Sequence, residues 1–262
     1  MRNVFYYIVL AYRWLIDRPS YMLLTAGDER LAAAPPRRFA WAWVGLVVQA
    51  IAWGYAFNVV WDWTQQHLSS DRFGSNLVQV AAVVATMGVW PFRRSIASLA
   101  EAAAGNGAAA QAVLGAVLVS SLLAGLLAAN SEFQYDYFYP GNGCARTILL
   151  MPPWGAWAIL ITCQFCRPRE STEPAIVAFA RGCGPIAATL TMAVPWVLTW
   201  VYMKYLGWWY MMMPASAIAT AIGGGAILCR KCGGLSRRTL LAVNMLVQFA
   251  VLVAYLYVGR NR

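Results

Sequence analysis

Two cysteine pairs carry the most specific spacing in the chain. Cys163-Gln-Phe-Cys166 and Cys229-Arg-Lys-Cys232 each have the separation that sets two thiolates on one metal. Two such pairs make a tetrahedral, all-cysteine zinc site. Zinc held by Cys163, Cys166, Cys229 and Cys232 is structural, because four thiolates leave no open position. A redox pair and plain packing are the competing readings, since cysteine also behaves as a small buried hydrophobe. Carboxylates are few: Asp17, Asp28, Glu29, Asp62, Asp71, Glu101, Glu132, Asp136, Glu170 and Glu173. The single histidine, His67, has only Asp62 and Asp71 close in sequence and reads as a solvated loop residue. Arginines cluster at Arg37-Arg38, Arg93-Arg94 and Arg237-Arg238. Such clusters anchor a protein to lipid headgroups. Arg237 and Arg238 also have the chemistry to attract a diphosphate.

The elements that position these groups are membrane helices. Of 262 residues, 61% are hydrophobic and 11% charged, against about 45–50% and about 25% in soluble domains. That composition excludes a soluble enzyme and a disordered chain. A spanning helix needs about 20 mostly apolar residues. Seven stretches qualify: Phe39–Trp61, Asn76–Phe92, Ala108–Ala129, Thr147–Cys166, Cys183–Tyr205, Trp208–Cys229 and Thr239–Val258. The expected fold is therefore all-α, a polytopic membrane bundle of six or seven transmembrane helices. The first 24 residues alternate apolar and charged positions and read as an amphipathic helix lying on the membrane surface. Arg13, Asp17 and Arg18 interrupt its apolar stretch, so no cleavable signal peptide is expected. This divides the chain into a cytosolic N-terminal segment, 1–38, and one transmembrane domain, 39–262. With the N-terminus inside, most of the 20 basic residues fall on the cytosolic side, as the positive-inside rule requires. The charge is spread over membrane-flanking loops, so the expected partner is lipid and not nucleic acid. Gly105-Asn106-Gly107 reads as a helix break.

Residues Gly233-Gly234-Leu235-Ser236-Arg237-Arg238-Thr239-Leu240-Leu241-Ala242-Val243-Asn244 resemble the C-terminal signature of the cobalamin synthases, the adenosylcobinamide-GDP ribazoletransferases. That pattern is roughly GG-x-(S/T)-GD-x-LGA-x-NE-x-x-E, and Gly233, Gly234, Ser236, Leu240, Ala242 and Asn244 match it in register. Trp154-Gly155-Ala156-Trp157-Ala158-Ile159-Leu160 is similar to the family's GRWAMVL segment. Arg167-Pro168 and Ala178-Phe179-Ala180-Arg181-Gly182 are similar to the ARP…AFxxG stretch that follows. Ala97–Gly105 can be laid on the acidic motif DGLAD-x-x-DG, with Leu99, Ala100 and Gly105 identical. The resemblance covers roughly residues 97–105 and 150–250.

The resemblance implies phosphoryl transfer in a bacterial-type cytoplasmic (inner) membrane. There α-ribazole or its phosphate attacks the diphosphate of a corrinoid nucleotide and expels GMP, with Mg²⁺ on the motif carboxylates. In this sequence those carboxylates fall on Ala97, Glu101 and Ala104, so only Glu101 remains. The signature's Asp falls on Arg238, its two Glu on Met245 and Gln248, and the Arg of the GRWAMVL segment on Ala156. Two readings follow. One is a transferase with a shifted ligand set, Glu101 with Asp28, Glu29, Glu170 and Glu173. The other is a non-catalytic scaffold or corrinoid-binding relative. A small-solute transporter is a third reading, disfavoured because the spans carry almost no charge. If the resemblance holds, Glu101 must meet Ser236, Arg237, Arg238 and Asn244 at one cytosol-facing cavity. Trp154 and Trp157 are expected at the outer end of their span.

Overall fold

Inside lipid an uncharged backbone satisfies its own polar groups by forming helix, and every named element of the chain is helical. The computed structural model describes residues 17–68, 78, 80–85, 92–132 and 143–260. Two short helices come first, α1 (Pro19–Thr25) and α2 (Asp28–Ala33), then a 3-10 turn, Pro36–Trp41. Next come α3 (Ala42–Leu68), α4 (Arg93–Ala104), α5 (Ala108–Glu132), α6 (Gly143–Phe165) and α7 (Pro174–Gly182). The chain continues through α8 (Pro185–Met203), α9 (Met212–Ala219), α10 (Gly225–Lys231) and α11 (Arg237–Arg260). Gly105, at φ 74°, ends α4 where the break was expected.

Among the described residues, five stretches are long and apolar enough to cross a membrane: Pro36–Thr64, Ala108–Ala129, Cys144–Phe165, Pro185–Lys231 and Arg237–Gly259. The fourth, of 47 residues, would run about 70 Å as one helix at about 1.5 Å per residue, more than twice a hydrocarbon core of about 30 Å. It breaks at Gly207, whose φ of 60° and ψ of −142° are not helical, so α8 and the α9–α10 rod are separate. Every expected span except Asn76–Phe92 coincides with one of these helices. That one lies mostly outside the described residues, with 80–85 helical.

The two innermost helices are α6 and α11, with 83% and 72% of their apolar windows buried, against 17% for α5. Lipid tails give no hydrophobic drive for helices to pair, so close approach over small residues does the work. A Cβ on Gly54 would lie 2.5 Å from the Leu149 carbonyl oxygen, which sets α3 directly against α6. A Cβ on Gly155 would lie 2.5 Å from Asn244 Oδ1, which sets α6 against α11. Trp154 and Trp157 sit in the middle of α6, not at its outer end, because the helix already starts at Gly143. Their indole nitrogens donate to Thr199 Oγ1 at 2.9 Å and to the Ala188 carbonyl at 3.0 Å, holding α8. Arg146, expected in an outer loop, lies in the first turns of α6, buried, with its guanidinium 4.4 Å from the Tyr205 ring centre.

One face of the bundle gathers the arginine-rich connections. It holds the starts of α3, α5, α8 and α11 and the ends of α6 and α10. A Cβ on Gly182 would overlap the Ala40 carbonyl, so α7 is pressed onto the 3-10 turn before α3. Lys231 Nζ donates to the Ala103 carbonyl at 2.9 Å, tying α10 to the end of α4. The described part of the N-terminal segment packs into this face, with Tyr21, Leu23, Leu24 and Leu31 buried; most of the expected interfacial helix, residues 1–16, lies outside the described residues.

The glycine contacts make a direct prediction. Alanine is a better helix former than glycine by about 1 kcal/mol, yet Gly54→Ala should lower the melting temperature in detergent, because overpacking costs about 1–3 kcal/mol. Gly115→Ala, with nothing within 4 Å of the new Cβ, should leave it level or raise it. Equal behaviour of the two variants would contradict the α3–α6 contact.

Candidate functional site

The Gly233-Gly234 pair turns the chain between α10 and α11. Their φ values of 78° and 118° are left-handed, which only glycine adopts without strain. The turn pairs with the segment after α6. Leu235 N–H donates to the Arg167 carbonyl at 2.9 Å, and Thr172 Oγ1 donates to the Leu235 carbonyl at 2.8 Å. Ser236 then caps α11. Its Oγ accepts from the Thr239 N–H at 3.2 Å and shares a hydroxyl contact with Thr239 Oγ1 at 2.9 Å, an N-cap worth about 1 kcal/mol.

Arg237, the first residue of α11, is 6% exposed. It reaches the C-terminal end of α1, where carbonyls lack helical partners. Its Nε donates to the Leu23 carbonyl at 2.9 Å, and one terminal nitrogen to those of Ala26 and Met22 at 2.7 and 3.3 Å. The other terminal nitrogen meets Asp28 Oδ1 at 2.8 Å. The same Asp28 oxygen accepts from Arg94 at 3.1 Å.

Between these elements lies a cavity of about 700 Å³, lined by Thr25 and Asp28, by Arg93, Arg94, Ser98 and Glu101 of α4, by Glu173, and by Ser236, Arg237 and Arg238. Glu101 Oε2 is 3.5 Å from Arg238 Nε. The expected convergence of Glu101 with the Ser236–Arg238 segment is therefore present. Asn244 does not join it. It lies two turns deeper, bonded to Gln248 and pressed on Gly155. Arg237 touches the cavity, but four bonds already hold its guanidinium. Of the additional carboxylates weighed, Asp28 and Glu173 line the cavity, while Glu29 and Glu170 are exposed elsewhere. Sequence reasoning missed Ser98 and Thr25, which carry no motif. It also took Arg93 and Arg94 for lipid anchors.

The cavity is cationic, with four arginines against three carboxylates. Glu173 has an oxygen buried without a hydrogen bond. Desolvation pushes its carboxyl above the usual range; Arg237 pulls it down, Asp28 adds to the rise and Arg94 opposes it. These donors fit a resident Mg²⁺ poorly, because arginines engage two of the three carboxylates and burial favours the protonated form of the third, Glu173, whose oxygen is unpaired. Asp28 Oδ1 is bound to two guanidiniums and Glu101 faces a third.

The cysteines also depart from expectation. Cys166 and Cys229 form a disulfide across a sequence separation of 63, linking the end of α6 to α10. Cys163 and Cys232 remain free thiols, so the two pairs meet but do not present four thiolates. Among the described residues, no group of three or more His, Cys, Asp or Glu is placed to hold a metal ion. Cys183 packs beside them, its carbonyl accepting from Gln164 Nε2 at 2.7 Å, and burial pushes its thiol up to about 11. His67 lies in the last turn of α3, exposed and stacked on Trp63 at 4.8 Å.

No protein-family model, curated protein or solved structure matches the chain.

Glu173 gives a pH prediction. Its raised folded pKa means the folded chain holds that proton more tightly than the unfolded chain. Stability contributed this way is complete below the unfolded value of about 4.3 and is lost as pH rises through the folded value. Glu173→Gln should therefore match the parent protein near pH 4 and melt at a higher temperature at pH 7. Parallel melting curves of the two proteins across that range would contradict the assignment.

Proposed function

We propose that this chain is a divergent integral-membrane relative of the adenosylcobinamide-GDP ribazoletransferases, with its arginine-rich face in the cytosol of a bacterial-type cytoplasmic membrane. Its cavity receives the diphosphate of a corrinoid nucleotide. One observation carries the reading. Glu101 on α4 and Ser236–Arg238 at the start of α11, which the motif resemblance alone pairs, line the same cavity. Its volume of about 700 Å³ is in the range of small-molecule sites, about 300–1,000 Å³.

The chemistry that fits is positioning plus charge stabilisation, which dominates phosphoryl transfer. Arg93 and Arg238 would lie against the non-bridging diphosphate oxygens, and guanidinium forks match that geometry. Glu101 would accept the proton of the attacking α-ribazole hydroxyl. The new O–P bond forms at the phosphorus nearer the corrinoid, the bridging P–O bond breaks, and GMP leaves. A second reading, binding without turnover, is favoured by the engagement of Asp28 and Glu101 with arginines.

The test is GMP release by the purified protein supplied with adenosylcobinamide-GDP, α-ribazole and Mg²⁺. Turnover is expected, falling about 100-fold or more in Glu101→Gln, the usual cost of losing a general base. Nucleotide binding without GMP would select the second reading. Neither binding nor release would overturn both.

A further inference from the structure

The residues that line the cavity disagree with the metal its resemblance implies, and the disagreement has a consistent direction. Helix N-termini favour anions, because their first N–H groups are unpaired and the macrodipole is positive there. Acidic side chains normally occupy such turns. Both helices that open onto the cavity do the opposite: α4 starts Arg93-Arg94 and α11 starts Arg237-Arg238, and neither has an acidic residue in its first turn. The cavity runs along the flank of α4 from Arg93 to Glu101 and meets the first turn of α11, so the two helix starts bring four cations to one space.

The partners of these cations are unequal. Arg237 is fully committed to α1 and Asp28, Arg94 shares Asp28, and Arg238 meets Glu101 only at 3.5 Å. Arg93 has no ion pair or hydrogen bond among the described residues. A neutral donor stands beside it. Ser98 is 9% exposed, lines the cavity, and its hydroxyl has no partner among the described residues. That hydroxyl is open to the cavity, whereas Arg238 Nε is buried without a hydrogen bond; buried donors are nearly always paired, so the Arg238 group points to something that occupies the cavity. Ser236, by contrast, spends its hydroxyl on capping α11.

We propose that the cavity is a phosphate-ester clamp that works without a divalent metal. Arg93 and Arg238 are its guanidinium ligands and Ser98 its hydroxyl donor. Arg237 and Asp28 position the clamp and do not bind the ligand. The ligand class is a phosphate or diphosphate monoester or diester, carried by a nucleotide or by a lipid headgroup. The proposal rests on reading this cavity as the nucleotide site, but not on turnover.

The probe is inorganic pyrophosphate, titrated calorimetrically into the full chain in nanodiscs of zwitterionic lipid, first in EDTA and then with Mg²⁺. Saturable binding in EDTA is expected, weakened by Mg²⁺, which sequesters the probe. Arg93→Gln should weaken it tenfold or more, Ser98→Ala severalfold, with Arg93→Lys recovering part of the loss and all three keeping the parent melting temperature. Loss of binding in phosphatidylglycerol nanodiscs would support the clamp and assign it to a headgroup phosphate. Retained binding there would support it with a soluble ester as ligand. Binding that requires Mg²⁺, or that ignores Arg93 and Ser98, would overturn it. Binding in EDTA without GMP release removes turnover and leaves the clamp; GMP release with strictly Mg²⁺-dependent binding removes the clamp alone.

Discussion

A single buried guanidinium organises the arginine-rich face. Arg237 stands at the first position of the last membrane helix and closes the open end of α1 with bonds to three carbonyls and one carboxylate. A cation at a helix C-terminus is electrostatically favourable, and the bonds to carbonyls and carboxylate offset its desolvation. Removing the guanidinium would leave the buried carbonyls without their donor, at a cost of about 1–3 kcal/mol each. The brace fixes the N-terminal segment as a wall of the cavity, and through Asp28 it fixes Arg94 on α4. The positions of both helix starts therefore depend on it.

The rest of the site follows from two further constraints. The left-handed Gly233-Gly234 turn delivers Ser236 to the cap position, and the cap sets the direction in which α11 begins. The Cys166–Cys229 disulfide and the Leu235–Arg167 bond hold that turn against the end of α6. Below this layer α6 and α11 meet over Gly155, where Asn244 and Gln248 bond to each other. Asn244 thus serves the packing that supports the site and not its lining.

What the sequence revealed follows the range of each interaction. Membrane helices were legible because composition over 20 residues dominates there, and the Gly105 break was legible because glycine has a local backbone meaning, while Gly233-Gly234 entered only through the motif resemblance. The joining of Glu101 with Ser236–Arg238 was legible only through motif resemblance, since nothing local connects α4 with α11. Ser98 escaped notice because a lone serine in an alanine-rich helix carries no signal until its surroundings are known. The cysteine spacing left a zinc site, a redox pair and plain packing open. Spacing alone does not distinguish a shared metal from a bond between the two pairs, because both need the same approach of sulfurs. The Gly207 break fell at the boundary between the expected spans Cys183–Tyr205 and Trp208–Cys229, legible because an apolar run of that length is too long for one crossing.

The account stands on α4 and the start of α11 sharing one wall-to-wall cavity. The most direct measurement is cysteine cross-linking of the Glu101→Cys/Arg238→Cys double variant in membranes, with the linked peptides identified by mass spectrometry. Long side chains whose tips meet at 3.5 Å set their backbones beyond direct disulfide reach, so a short bismaleimide should bridge the pair efficiently, while a His67→Cys/Arg238→Cys control, with one thiol at the far end of α3, should give no cross-link. Failure of the first pair to link, in protein that keeps the parent melting temperature, would contradict the cavity and every function assigned to it.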